Sequence, residues 1–471
     1  MLRSASLAGL FFTALFCADS SIAQSNTRIT VNRTQRYQKV DGFGVSQAFQ
    51  RAIQIQRLPP TTQTLVLDLL FSDTKGAGLT ILRNGIGSTN NSNKDFMNTI
   101  LPESPGSSNA TPKYLWDGLD SGQVWLSKQA QTYGVKTFYA DAWSAPAFMK
   151  TNNNDTDGGY LCGVTDEPCA TGDWRQAYAD YLIQYIRFYA QAGIKVTHVG
   201  FLNEPELTQS YASMLSDGAQ AAKFLQVFEP AVRKSGLDVK IVCCEAAGWE
   251  YQQEMLSDIK AEGAEKLFSV VASHGYATPP RDPFYDTPNV VWQTEWAELY
   301  DNWTAAWDVQ GDDGEGFTWA QRIQDAFVQS NTSAFIHWIG AERGRGNSQL
   351  IQLQNSTIVV SKRLWAFAQF SRFVKPEAVR IGARSTRQDL HVSAFENANG
   401  AIAIQVLNTN EAALPVSLAV GGLTGSNIVH SWLTNNDNDI SARNETIFTS
   451  GQFNSSVPAR SMVSFVISKI K

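Results

Sequence analysis

The sequence predicts an α/β fold: a (β/α)8 TIM barrel with a β-sandwich domain at its C-terminal side. Eight short apolar runs alternate with helical stretches over roughly three hundred residues, the size of an eight-fold barrel. From about Pro376 the helical pattern stops, and period-two strands separated by Gly and Asn turns take over, as in a sandwich. A chain of 471 residues, 43% of them hydrophobic, is long enough for both bodies and a sizeable core.

Taken in order, residues 1–23 carry one early cation, Arg3, then an apolar run, then the small-x-small pattern Ser21-Ile-Ala23. This reads as a secretory signal peptide, and its apolar core is shorter than the ~20 residues a membrane-spanning helix needs. A secreted, extracellular protein that does not cross membranes is therefore expected. Residues 27–32 alternate like a strand with one exposed face. They are expected to join the sandwich, so that 24–35 and 376–471 form that domain and 36–375 the barrel. Barrel strands are predicted at 38–45, 79–84, 136–141, 195–203, 239–245, 268–274, 289–295 and 333–338. Between them, 174–192 places Tyr178, Tyr181, Leu182, Tyr185 and Ile186 at helical spacing, and 219–235 is a second clear helix. Sandwich strands are predicted at 378–381, 390–395, 401–407, 414–420, 428–433 and 462–467. No low-complexity linker separates the two parts, which predicts rigid packing. A monomer is expected.

The net charge of −6 comes without acidic or basic runs, which argues against nucleic-acid and anionic-membrane partners. Sequons begin at Asn32, Asn90, Asn109, Asn154, Asn302, Asn331, Asn355, Asn444 and Asn454, as expected of a glycosylated export product. Of five cysteines, Cys17 lies in the signal. Cys162 and Cys169 bracket a short polar loop that an oxidising compartment favours closing as a disulfide. Cys243 and Cys244 are adjacent on a predicted strand, so they are expected to face opposite ways as buried thiols. No Cys/His spacing resembles a zinc site, and neither a metal nor a cofactor is expected.

The chemistry concentrates in Val196-Thr-His-Val-Gly-Phe-Leu-Asn-Glu-Pro205, an apolar run delivering Asn203 and Glu204 to its tip before Pro205 stops it. A second run, Asn289-Val-Val-Trp-Gln-Thr-Glu-Trp-Ala297, ends the same way on Glu295. In a parallel barrel both tips open on one face, and two facing carboxyls suit glycoside hydrolysis. Glu245 and Glu298 are rival carboxylates, given accessory or surface roles. Asn203 is placed to hydrogen-bond a sugar 2-hydroxyl. Arg83 is expected at the tip of barrel strand two, orienting Glu295 through a charge-assisted bond. His274 and Tyr276 follow strand six, where either ring would fix a carboxylate rotamer. Trp143, Trp296 and Trp338 are candidate sugar-stacking walls, with core packing an equal alternative for Trp296. A lectin-like barrel that binds without cleaving, and an inverting hydrolase, stay open as alternatives.

The ordered set Asp41-Gly-Phe-Gly44, Leu202-Asn-Glu-Pro205, Gln293-Thr-Glu-Trp296, Lys362-Arg-Leu-Trp-Ala-Phe-Ala-Gln-Phe-Ser-Arg-Phe-Val-Lys-Pro376 and Pro458-Ala-Arg-Ser461 resembles glycoside hydrolase family 30. Through Gly44-Val-Ser-Gln-Ala-Phe-Gln-Arg51 and Asp141-Ala-Trp-Ser-Ala-Pro146 it is most similar to the fungal xylanase and glucuronoxylanase branch. The resemblance implies Glu204 as general acid/base, Glu295 as nucleophile, a retaining double displacement, and plant cell-wall xylan as substrate. Related β-1,6-glucanase and glucosylceramidase activities remain alternatives within the family. A glucuronate side group would need a cationic partner, for which Arg51 is the first candidate, with Arg343 and Arg345 as competitors.

Overall fold

The computed structural model describes residues 27–89, 96–284, 287–449 and 451–470. The expected signal peptide and the Asn90 sequon lie outside the described residues. Strand β1 (Thr27–Lys39) precedes eight parallel strands: β2 (Gly42–Ser46), β3 (Ile81–Ile86), β4 (Thr137–Ala142), β5 (His198–Gly200), β6 (Lys240–Ala246), β7 (Val270–His274), β8 (Val290–Glu295) and β9 (Ala334–Glu342). Each pairs with the next, and β9 pairs back onto β2, so the sheet closes into a barrel. Its helices are α1 (Arg51–Gln56), α2 (Pro60–Phe71), α3 (Gln123–Thr132), α4 (Arg175–Gln191), α5 (Gly218–Ser235), α6 (Trp249–Ala261), α7 (Gly316–Val328) and α8 (Lys362–Ser371). The two helices read from the sequence are α4 and α5. In α4 the predicted tyrosine stripe is buried, and α5 opens on an Asp217/Gln220 capping box and closes on Gly236.

A hairpin absent from the sequence reading, β10 (Gln349–Gln354) and β11 (Thr357–Val360), extends the barrel sheet from β9. The side domain contains β12 (Val379–Ser385), β13 (Leu390–Glu396), β14 (Ile402–Asn408), β15 (Leu414–Val420), β16 (Asn427–Thr434), β17 (Ser441–Ala442), β18 (Thr446–Phe448), β19 (Gln452–Val457) and β20 (Ser461–Lys469). As expected, β1 joins it, antiparallel to β12 and parallel to β15. These strands form one continuous ladder that folds over on itself. At one end of the ladder β19 places Phe453 against Phe448 of β18 and Phe465 of β20, from the other end, which closes the two layers on an aliphatic core. The two domains share a tight seam. Phe373 stacks on Trp432 at 4.3 Å, and Arg460 grips Asp308 with two bonds of 2.7 Å.

The structure corrects four local expectations. Residues 38 and 39 belong to β1, since Lys39 still pairs with Val379, and the first barrel strand starts at Gly42. The 195–203 run holds the ladder only at His198–Gly200. There Gly200 passes so close to Asp141 and Tyr139 that a Cβ would sit 2.0 Å from Asp141 Oδ1. The chain then turns, leaving Asn203 and Glu204 in the loop beyond. Arg83 lies inside β3 and is fully buried, its side chain pointing into the barrel. Cys243 and Cys244 are joined to each other as a vicinal disulfide across a cis peptide, their Cα atoms 3.0 Å apart, because side chains alternate faces only along trans, extended backbone. The Cys162–Cys169 disulfide is present. Among the described sequon residues, Asn32, Asn109, Asn302, Asn355, Asn444 and Asn454 are exposed. Asn154 and Asn331 are half-buried, and Asn331 accepts a bond from Arg380. No described helix is long and apolar enough to cross a membrane.

Candidate active site

At the C-terminal ends of the barrel strands a cleft of about 300 Å³ exposes both Glu204 and Glu295. Glu295 is the last residue of β8. Glu204 sits in the left-handed region at φ 48°, fixed there because its N–H donates to the Glu245 carbonyl at 2.8 Å. One oxygen of each carboxyl and one nitrogen of His274 all lie within 4.8 Å of one another.

Arg83 ties the cluster together from beneath. Its Nη1 donates to Glu295 Oε2, while Nη2 reaches Asp141 at 2.7 Å, the Asn203 amide oxygen at 2.8 Å and Glu245 at 2.9 Å. Trp143 covers the guanidinium, 4.5 Å from the ring centre. Tyr276 donates to the second Glu295 oxygen at 3.0 Å. His274 bridges Glu204 through Nδ1 at 3.1 Å and Glu245 through Nε2 at 2.9 Å.

These contacts set the charges. Burial works against a charged His274, but Glu295, Glu204 and Glu245 outweigh it and push the imidazole up to about 10, so both ring nitrogens carry protons at neutral pH. Burial lifts Asp141 well above the carboxylate range, reinforced by Glu245 and opposed by Arg83. Its Oδ1 is buried without a hydrogen-bond partner, while Oδ2 accepts from Arg83. Glu245 is also buried, yet Arg83 and His274 hold it below its ordinary value. Burial raises Glu295, while His274 and Arg83 pull it back and Glu204 adds to the rise. Glu204, His274 and Glu295 have the spacing of a metal-ligand set, and both ring nitrogens of His274 are already engaged by Glu204 and Glu245.

The predicted residues separate into layers. Glu204, Glu295, Tyr276, Trp143, Trp338 and Arg51 line the cleft. Arg83 and His274 stand behind it, touching the carboxylates, and Asn203 stands with them, accepting from Arg83. Trp296 does not line it: its ring packs on Trp319 at 5.7 Å and under Arg322 at 4.6 Å, and it fills the space where a side chain on Gly275 would be. Arg51 donates to Glu342 at 2.9 Å, and Arg343 and Arg345 are exposed outside the cleft lining. Glu298 is buried, accepting from the backbone of Tyr300 and Asp301. Sequence reasoning gave Glu245 an accessory role, which its contacts with Arg83, His274 and Tyr139 fit, and missed Phe49, Tyr211, Leu299 and Tyr300. Phe49 lay within the Gly44–Arg51 motif and meets Trp143, Trp338 and Tyr211 edge-on. Nothing in the spacing of Tyr211 marks it, although its hydroxyl lies 3.4 Å from Glu204.

A barrel with two carboxyls facing across such a cleft defines an O-glycosyl hydrolase. Residues 26–281 match the family model "O-Glycosyl hydrolase family 30", and 377–465 match that family's β-sandwich domain. The catalytic domain of GH30 xylanase C from Talaromyces cellulolyticus superposes with a TM-score of 0.89 at 44% identity, covering 94% of this chain and all of that one. Glucuronoxylanase XynC of Bacillus subtilis is 22% identical over 362 residues, 74% of this chain and 77% of that protein. Endo-1,6-beta-D-glucanase neg1 of Aspergillus fumigatus is 26% identical over 270 residues, half of each protein. The chain belongs to glycoside hydrolase family 30.

Proposed function

We propose that this protein is a secreted retaining hydrolase of β-1,4-xylan, acting by double displacement. The observation that carries the mechanism is the approach of Glu204 and Glu295 to within 4.8 Å. Retaining enzymes hold their carboxyls ~5–5.5 Å apart so that one can bond to the anomeric carbon, whereas inverting enzymes leave ~6.5–9.5 Å for a water. Glu295 has a donor on each oxygen, Arg83 on Oε2 and Tyr276 on Oε1, and these bonds to the carboxylate oppose the upward push of burial and fit it as the nucleophile. Glu204 then gives its proton to the leaving oxygen, and afterwards takes one from the water that releases the sugar. His274 holds the Glu204 carboxyl in place.

The substrate reading is supported by the extent of likeness to the Talaromyces xylanase. Trp143 and Trp338 supply apolar faces for a pyranose beside the carboxyls. A glucuronate branch would share the Arg51 guanidinium with Glu342, so the branch is read as tolerated and the undecorated backbone as the core substrate. Product configuration followed by NMR in the first minutes on xylan tests both parts. The β-anomer of xylo-oligosaccharides is expected. First-formed α-anomer would overturn retention, and cleavage of β-1,6-glucan or glucosylceramide in place of xylan would overturn the substrate.

A further inference from the structure

Tyr300 is the most exposed large hydrophobic residue among the described positions, at 96%, and it lines the same cleft as Glu204 and Glu295. Its neighbour Leu299 is 45% exposed and lines the cleft too. An aromatic ring left open in this way loses the burial that usually stabilises aromatic side chains. The backbone beneath it is nevertheless firmly held. The buried Glu298 carboxylate accepts from Tyr300 N at 2.5 Å and Asp301 N at 2.9 Å. Asn347 donates to Glu298 at 2.8 Å and to the Asn302 carbonyl at 2.9 Å, and accepts from Thr304 N at 2.8 Å. A loop pinned by buried side chains thus presents a ring that packs on almost nothing.

We propose that Tyr300, flanked by Leu299, is a stacking platform for a sugar of the polysaccharide outside the subsite where cleavage occurs. This rests on the reading of the cleft as a xylan site. The wall next to the carboxyls is already formed by the Phe49, Trp143 and Trp338 cluster, and Tyr300 belongs to a different loop, after β8. The flat C–H face of a pyranose matches an aromatic face, and a ring held in advance adds contact without paying for ordering.

The test is kcat/KM for Tyr300→Ala, Tyr300→Phe and wild type on soluble xylan and on the shortest xylo-oligosaccharide that the wild type cleaves. The ratio of polymer to short-substrate kcat/KM is expected to fall about five- to tenfold in Tyr300→Ala, chiefly through KM, and to persist in Tyr300→Phe, since stacking needs the ring and not the hydroxyl. Melting temperatures should match, because an exposed side chain contributes little to folding. An unchanged ratio in Tyr300→Ala overturns the proposal, as does an equal loss on both substrates, and a ratio lost in Tyr300→Phe shows a hydroxyl contact in its place. Wild-type turnover of xylan is read in the same experiment, so failure of the substrate assignment shows up separately from failure of the platform.

Discussion

The mouth of the barrel and the centre of the side sheet are built from the same element to opposite ends. Along β13, β14 and β20 the ladder runs seven residue pairs on each side of β14 without a slip, and the inward residues Ile404, Val406, Val463 and Phe465 are buried and apolar. In the barrel, register breaks where the chemistry begins. Between β6 and β7 the pairing skips Glu245, which adopts φ 62°, and between β7 and β8 it skips Thr294, just before His274 pairs with Glu295. A bulge re-aims side chains at the cost of ladder regularity. The regular region spends its burial on stability, while the irregular one buries Arg83, Asp141, Glu245, His274 and Glu295 in mutual contact. Such a charged cluster contributes less to stability than an apolar core of the same size, but it holds its members in one geometry.

That contrast is open to test, the largest effect first. Glu295→Gln should fold normally and lose more than about 10⁴-fold in kcat on xylan, the scale seen when a covalent nucleophile is removed. Glu204→Gln should lose about 10²–10⁴-fold, and much less on aryl glycosides whose leaving group needs no proton. Substantial activity in Glu295→Gln would sink the assignment.

Arg83→Met takes the guanidinium away from Glu295 and Glu245 and leaves them His274 as their buried cation. It should cost ~3–5 kcal/mol in urea unfolding and abolish turnover together. Ile404→Ala in β14 should cost a similar ~2–5 kcal/mol through a cavity, with kcat per folded molecule kept. If both variants lost stability and activity in parallel, the two regions would not be separable.

The smallest effect concerns pH. His274 is raised from 6.5 to about 10 in the folded protein, so its protonation contributes stability fully present below pH 6.5 and lost as pH climbs through 10. The unfolding free energy from urea titration should decline across that window by an amount on the order of a few kcal/mol, and His274→Gln should flatten the decline. A wild-type midpoint level from pH 6.5 to 10 would mean that the imidazole is neutral.

Much of this molecule was legible before the structure. Period-two and 3.6-residue patterns are local, so the eight barrel strands, helices α4 and α5 and six side-sheet strands could be read from residue spacing, while the joining of β1 to them was read from its place ahead of the barrel. The two strand-end glutamates stood out because an acid at the end of an apolar run is costly unless it is used. The vicinal disulfide was missed because alternation assumes a regular extended backbone, and the bulge at Glu245 was missed for the same reason. Trp296 and Trp338 look alike in sequence, and only packing against Trp319 and Arg322 sent the first behind the wall while the second lines the cleft. Arg83 could be named as a partner of Glu295, but not as the hub of four acceptors drawn from β4, β6, β8 and the Glu204 loop. The sequence alone therefore determined the eight barrel strands, six strands of the side sheet and the two carboxyls at or just beyond strand ends, because hydrophobic periodicity and strand ends are properties of neighbouring residues. The tertiary structure decided the approach of Glu204 and Glu295 to within 4.8 Å, the upward shift of His274 and the open ring of Tyr300. These depend on distances and desolvation between residues far apart in the chain, which closure of the barrel brings together.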